Sequence, residues 1–481
     1  MELVTKKAMK CIQEADVIVY DNLIDISLLN YASLNTELIY AGKEAANHYL
    51  SQGSIIELLM DKAREGKYVV RLKGGDPYLF GRGSEEALAL KEAGISYEVV
   101  SGVTSSIAVP AYAGIPVTDR RFVSSCHIIT AHREEEAGID FENISKLEGT
   151  LVFMMGLAKL HHIVQGLTLH GKASGTPVAV LSDGSRYNRR KCVGTLEDIE
   201  EKVKEAKLLP PAIIVVGEVV SLSNELDNFL ERYSDKKLFR KKILLTGTRY
   251  ICHKIKAALA DEGCDIDEIS IIESVPIESD FYNNIEKYIE SHDYLVFSSA
   301  NGIRVFFEKL KELHNVDLRK LSNIKFAVIG KGSAQTLRNY GYIADFVPSS
   351  FSNKDLAVEL CKQLKGEKLL LLRAREASAE LVEELEANKV EYTDVSLYET
   401  FRDYRRTFDI KRLIKNYDYV VVASSITAHT LCEMVEDKAV LEGRVVSIGP
   451  VTTGTCKRLG VEPLMSAREY SVDGIVRVLL Q

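Results

Sequence analysis

The chain has 481 residues, 46% of them hydrophobic and 27% charged, with a formal net charge of −8. One core does not grow to that size, so two to four domains are expected, and an acidic balance without basic clusters gives no footprint for nucleic acid. No apolar run approaches the ~20 residues of a membrane span, MELVTKKAMK lacks the apolar core of a signal peptide, and the eight scattered cysteines form no C-x-x-C pair, so the expectation is a cytoplasmic chain with reduced thiols, no metal and no membrane partner.

In chain order, short β-branched runs alternate with helical patterns: ADVIVYD, YVVRL, YEVV, TLVFMM, PVAVL and AIIVVG. This alternation predicts an α/β architecture with parallel strands. Within it, VVRLKGGDPYLFGRG (69–83) breaks a strand with two glycines, an acid and a proline. Such a loop lets backbone N–H groups come close to a ligand. It has neither the Gly-Lys-Ser/Thr of a phosphate loop nor a G-x-G-x-x-G frame, and Asp76 would repel a phosphate. The pattern suits a ligand that offers hydroxyl or ammonium donors.

Past AIIVVGEVV the chain turns charged and helical in pattern, and ILLTGTR (243–249) opens a second α/β series. The boundaries that follow are 1–222, with sublobes of about 1–115 and 116–222, a linker at 223–241, and 242–481. The second series holds an internal repeat. FAVIGKGSAQTLRNYG (326–341) matches VVSIGPVTTGTCKRLG (445–460), with Gly330 opposite Gly449, and the echo extends to Phe351-Ser352 and Tyr470-Ser471. Two copies of one strand–turn–helix plan imply two similar lobes. Strands that end in Ser-Ser or Gly-x-x-Thr put Ser298, Ser299, Ser424, Ser425, Thr452 and Thr453 at helix N-termini. Each alone is an N-cap; together, facing one cleft, Ser298, Ser299, Ser424 and Thr452 would bind a substrate with several carboxylates. GKGSAQ lacks the third glycine of a dinucleotide fingerprint.

The ordered set ADVIVYDNLI, AGKEAANH, VVRLKGGDPYLFGRG, VVSGVTSSIAVPAYAGIPVTDR, LVFMMG, TPVAVLSDGS and PPAIIVVGEVV makes residues 1–222 closely resemble the uroporphyrinogen-III C-methyltransferases. Residues 242–481 resemble the uroporphyrinogen-III synthases through FSSANG, VIGKGSAQTL, SLYET and SIGPVTTGT. The resemblance implies a two-lobed tetrapyrrole methyltransferase fold followed by a two-lobed α/β synthase fold. It also implies an enzyme that closes hydroxymethylbilane to uroporphyrinogen III and methylates it twice with S-adenosylmethionine, giving precorrin-2 for sirohaem or cobalamin. By the same likeness Gly74, Gly75, Asp76, Leu79, Thr104, Ser105, Met155 and Gly184 would hold S-adenosylmethionine. Asp21 and Lys43 match that family's proposed proton acceptor and donor, and Tyr398 matches the tyrosine proposed to help the hydroxyl of hydroxymethylbilane leave. No metal is implied, small tetrapyrroles are the partners, and a homodimer would form through the methyltransferase half. The synthase lobes would be joined by two strands, near 273–278 and 396–401, so that the first lobe is built from both ends of its half.

Two departures qualify the likeness. Methyltransferases of this family usually open with a strand and a Gly-Ala-Gly-Pro-Gly-Asp loop, and the likeness here starts just beyond it, so a first strand and one wall of the site are expected to be missing. The alternative is then an active synthase whose inactive methyltransferase half is a dimerisation platform. The family's Thr-His-Arg is Thr118-Asp119-Arg120 here. A fused dehydrogenase or chelatase would bring a full G-x-G-x-x-G, and a twin-lobed periplasmic binding module would bring a signal peptide; neither is read in the sequence.

Overall fold

The computed structural model describes residues 2–42, 50–131, 138–313, 317–350 and 352–481. Its first sheet is parallel, with β1 (Val17–Tyr20) between β2 (Glu37–Tyr40) and β3 (Val69–Leu72). Strand β1 is buried on both faces, which is why VIVY is a continuous apolar run and not an alternating one. Val17 and Val19 pack with Ile55 and Leu59 of helix Gln52–Arg64. Ile18 and Tyr20 point the other way, into a cluster that includes Leu244, Ile269, Ile410 and Val420 from the second half of the chain.

The strand expected at YEVV does not form. Residues 97–100 join no ladder among the described residues, and they line a cleft together with β3 instead of pairing with it. Strand β3 is left as the edge of its sheet among the described residues.

The second sheet corrects the all-parallel expectation. It contains β4 (Cys126–Thr130), β5 (Thr150–Met154), β6 (Pro177–Ser182), β7 (Arg190–Thr195) and β8 (Ala212–Val216) in the order β4-β5-β8-β6-β7. Only β4 and β5 run parallel; β8 is antiparallel to both β5 and β6, and β6 is antiparallel to β7. The cause is connection length. The turn at 183–189 is too short for a parallel crossover, which takes about a dozen residues or more. The segment 223–241, expected as a linker, is packed: it holds helices Ser223–Leu226 and Phe229–Tyr233, buries Phe229, Tyr233 and Leu238, and pairs Asp227 with Lys191 at 2.7 Å.

The second half has two five-stranded sheets. One, all parallel, runs β10-β9-β16-β17-β18 and draws β9 (Lys242–Gly247) and β10 (Asp265–Ser270) from one end of the half and β16 (Tyr419–Val422), β17 (Val445–Ser447) and β18 (Met465–Ser466) from the other. The second runs β11-β15-β14-β12-β13, from β11 (Ile272–Pro276), β12 (Tyr294–Phe297), β13 (Lys325–Val328), β14 (Leu369–Ala374) and β15 (Tyr392–Arg402). Strands β11 and β15 pair antiparallel and carry the chain between the lobes. The sequence echo has a structural basis: β13 and β17 each end in a glycine of extended backbone, Gly330 or Gly449, before a helix. Ser352 and Ser471 then each cap a helix, accepting from Asp355 N and Gly474 N; Phe351 lies outside the described residues.

The halves share an interior. Arg406 and Asp409, 1% and 0% exposed, form an ion pair at 3.1 Å. Arg406 also donates to Asn30 Oδ1 (2.6 Å) and Ile26 O (3.1 Å), and the Tyr20 hydroxyl donates to Asp409 Oδ1 (3.1 Å). Burial, reinforced by Asp409, pushes the Tyr20 phenol far above its ordinary range. Beside this pair, Asn30 donates to Glu268 O and accepts from Ser270 N, while Ser27 accepts from Glu268 N, so the short helix Ile26–Tyr31 lies along β10 and satisfies its backbone. Among the described residues no helix is long and apolar enough to cross a membrane.

Replacing Asp409 by Ala strands a buried guanidinium and should cost roughly 3–5 kcal/mol. Urea unfolding should show it as a lower midpoint. Probes in both halves should report one coincident transition, because the apolar cluster spans them.

Candidate functional sites

A cleft of about 3000 Å³ opens between the first sheet, the second sheet and the first lobe of the second half. Asp21, Gly74, Gly75, Leu79, Ser105, Met155 and Gly184 all line it, brought together from five separate segments. Asp76 and Thr104 are not on its wall but directly behind it, and Lys43 lies outside the described residues. Asp76 is a brace: its Oδ1 accepts from Tyr78 N (2.9 Å) and its Oδ2 from Gly102 N (3.1 Å). The carboxylate thereby ties the Gly-Gly loop to the loop at 101–104. Gly75 has φ +87°, and a Cβ on Gly102 would sit 2.3 Å from Gly75 O, so the two loops meet backbone to backbone. Thr104 caps helix Ser105–Tyr112, accepting from Ser106 N at 3.3 Å. Gly184 packs against Val109, where a Cβ would fall 2.2 Å from Cγ1.

Met155 follows β5 with φ +55° and is 51% exposed, so it faces the cleft and not the core. Phe80, Arg82 and Asp183 also line this cleft in the left-handed region. Each such residue carries strain on the order of 1–3 kcal/mol, and strain of this kind gathers at ligand sites.

Asp21 stands at the end of β1. Its Oδ1 accepts from Leu23 N (2.9 Å) and its Oδ2 from Arg71 Nη2 (3.1 Å). Arg71 lies 3.5 Å from Glu86, and Glu86 is 3.1 Å from Lys73. Burial and the neighbouring Arg71 charge pull the Lys73 ammonium below its ordinary range, against the pull of Glu86. Sequence reasoning missed Arg71, Lys73 and Glu86. The signal was available: Arg71 and Lys73 alternate in RLK and so share a face. Asp119 does not line the cleft; Arg121 holds its carboxyl below the usual range, donating at 3.0 Å.

A second constellation lies between the lobes of the second half. Tyr398, on β15 and 5% exposed, shares a 2.8 Å hydrogen bond with Ser299, whose Oγ also accepts from Gly302 N (3.0 Å) and caps helix Ala300–Glu312. Ser298 precedes it, half-buried. Burial raises the Tyr398 phenol, while the Ser299 hydrogen bond and the Arg304 charge oppose the rise. Ser424 caps helix Ser425–Met434, accepting from Thr427 N at 3.1 Å. Next to it, Tyr470 donates to Ala423 O (3.3 Å).

Thr452 is corrected. It is 1% exposed, because Pro450 starts its helix and turns the third helical residue inward, so its hydroxyl faces no ligand. Thr453 is bonded to Ser447, Gly449 O and Ser466, and Ser425 to Thr455 at 3.1 Å. Arg304, Arg249 and Glu273 were not foreseen. The Arg304 guanidinium lies 3.9 Å over the Tyr250 ring, and Glu273, its carboxyl raised by burial, accepts from Arg249 N at 3.4 Å. Among the described residues no group of three or more His, Cys, Asp or Glu is placed to hold a metal.

Comparisons with known proteins match two separate parts of the chain. Residues 1–200 match the model of the tetrapyrrole (corrin/porphyrin) methylases, and residues 253–477 match that of uroporphyrinogen-III synthase HemD. The porphyrin biosynthesis protein HemD of Ruminiclostridium josui is 34% identical over 486 residues, covering 100% of this chain and 95% of that protein. Over the first half, the uroporphyrinogen-III C-methyltransferase of Methanocaldococcus jannaschii is 50% identical over 223 residues, 46% of this chain and 92% of that protein. The S-adenosyl-L-methionine-dependent uroporphyrinogen III methyltransferase of Methanosarcina barkeri is 50% identical over 228 residues, 47% of this chain and 89% of that protein.

The loop contact at the first cleft is open to test. Gly102→Ala forces a methyl against the Gly75 carbonyl and should destabilise the chain by about 1–3 kcal/mol, read as a lower thermal midpoint. Asp76→Asn, which keeps one acceptor oxygen, should lose less.

Proposed function

Because this chain belongs to the family that fuses a tetrapyrrole methylase to a uroporphyrinogen-III synthase, we propose that its two halves act in turn on one tetrapyrrole. The second half closes hydroxymethylbilane to uroporphyrinogen III, and the first half methylates that product twice with S-adenosylmethionine to give precorrin-2. The observation that carries this reading is the convergence of Gly75, Ser105, Met155 and Gly184 on one cleft that also holds Asp21. The named dependence of the Methanosarcina barkeri relative on S-adenosyl-L-methionine supports the choice of methyl donor.

S-adenosylmethionine supplies an electrophilic methyl carbon on its sulfonium. Gly75 and its loop would admit the donor close to the backbone, and Met155, at the end of β5, would help to hold it. Methyl transfer depends chiefly on alignment of nucleophile, methyl carbon and sulfur. Asp21, its carboxylate fixed by Arg71 and Leu23 N, would take the proton released as the pyrrole double bonds rearrange.

In the second half Tyr398 is the proton donor for the departing hydroxyl. A raised phenol pKa means that the proton is still in place at neutral and mildly alkaline pH. The N-terminal amides of the helices capped by Ser299 and Ser424, with Arg304 and Arg249, would receive the substrate carboxylates.

A second reading has one observation in its favour: β3 is an open edge and residues 97–100 pair with nothing among the described residues. On that reading the first half is a silent platform beside a working synthase. Calorimetry with S-adenosylmethionine, alongside conversion of hydroxymethylbilane by the full chain, separates the two. Saturable binding and a dimethylated product are expected. Uroporphyrinogen III accumulating without binding heat would establish the platform instead.

Tyr398→Phe should lower kcat for cyclisation by roughly 10²-fold and leave S-adenosylmethionine binding unchanged. In the parent chain the alkaline limb of the cyclisation profile should lie above the ordinary tyrosine value of about 10, since the donor works until pH passes its raised pKa.

A further inference from the structure

Asp21 is flanked by two residues that the second half holds. On one side, the Tyr20 hydroxyl donates to Asp409 Oδ1 at 3.1 Å. On the other, Asn22 Oδ1 accepts a hydrogen bond from Arg412 Nη1. Asp409 and Arg412 both sit on helix Thr407–Leu413, and Asp409 is itself locked by Arg406 at 3.1 Å and neighboured by Arg412 at 3.6 Å. The Arg412 guanidinium also lies 4.6 Å over the ring of Tyr40, the last residue of β2, and its side chain lines the same cleft as Asp21. The ends of β1 and β2, where the cleft begins, are thus held from across the boundary by one helix.

Among the described residues of its own half, Asp21's carboxylate accepts hydrogen bonds from Leu23 N and Arg71. Tyr20 is the last residue of β1 to be held in its sheet, paired with Tyr40 of β2 and Leu72 of β3, and Asp21 and Asn22 follow beyond that ladder. We infer that Asp409 and Arg412 are positioning residues for methyl transfer, setting the place of Asp21 through Tyr20 and Asn22. The inference rests on the function proposed above, in which Asp21 takes a proton from the methylated ring. Proton transfer demands hydrogen-bond reach, and a displacement of about 1 Å at a reacting group can reduce rate by 10²-fold. The synthase half is then a structural component of methyl transfer as well as its upstream partner.

The test uses the full chain and measures both reactions. Asn22 is exposed, so Asn22→Ala removes the acceptor without touching the core, and Arg412→Ala removes the donor. Each should lower kcat for methyl transfer roughly ten- to a hundredfold, with KM for S-adenosylmethionine and the cyclisation rate unchanged. The double variant should be no slower than the slower single, because both delete one contact. Arg412→Lys, which keeps a cationic donor, should recover part of the loss. An unchanged methyl-transfer kcat in both single variants would overturn the inference, and so would methyl transfer and cyclisation falling together in step with thermal stability. A parent chain that never transfers methyl groups would overturn the proposed function and this inference at once, whereas an active parent with indifferent variants overturns this inference alone.

Discussion

The buried Arg406–Asp409 pair is the constraint on which the arrangement of the two halves depends. Removing two charges from water is expensive, and attraction between them repays it only when every remaining donor and acceptor is satisfied. Here that satisfaction comes from the other half: Asn30, Ile26 O and Tyr20 complete the pair. Docking the halves in another register would bury a guanidinium without partners. The pair therefore selects one geometry, whatever it adds to net stability, and the apolar cluster around it supplies the driving force.

That geometry explains how a three-stranded sheet can be the floor of a cleft. Its own helix Gln52–Arg64 covers one face of β1, through Val17 and Val19. Ile18 and Tyr20 on the other face would be exposed without the second half. Burying that second face removes Ile18 and Tyr20 from water. Covered on both faces, the sheet can carry a glycine loop with Gly75 in the left-handed region, while the neighbouring walls hold Met155 and Asp183 there too. Such strain persists only where the surrounding structure over-determines it, and the Asp76 brace to Gly102 N is one visible part of that support.

What could be read from sequence was mostly what is local. VIVY, the Gly-Gly-Asp loop, the serine caps at 299 and 424 and the repeated strand–turn–helix units each depend on residues within a turn or two of one another. Thr452 failed on a local detail, since Pro450 fixes where the helix starts and so which way the threonine faces. The all-parallel expectation failed because hydrophobic runs were read without the spacing between them, and the short turn at 183–189 dictates an antiparallel return. YEVV shows that strand composition is not sufficient either: residues 97–100 line the cleft beside β3 without joining its edge. Arg406 and Asp409 were invisible, because a charged pair in RRTFD looks like a solvated helix until Tyr20, hundreds of residues away, is placed against it. Arg71, Lys73 and Glu86 were overlooked because the glycines between them drew the reading.

One continuous stretch of chain serves both sites, and the way it is pinned limits what can move. Strand β15 carries Tyr398, ends at Arg402, and runs through Asp403 into the helix that carries Asp409 and Arg412. Just past the strand, Asp403 N bonds to Ile271 O at 2.9 Å, and Arg405 donates to Ser33 O and Thr36 O at 2.8 Å each. Those bonds fasten the chain to the first lobe and to the first half before it reaches the contacts around Asp21. Any movement of one lobe relative to the other would have to be taken up in β11 and β15, upstream of residue 403. The first lobe stays with the first half as one packed body. Such a movement would leave Asp21 in place, which on the proposed function is the condition for two reactions with different geometric demands to share one chain.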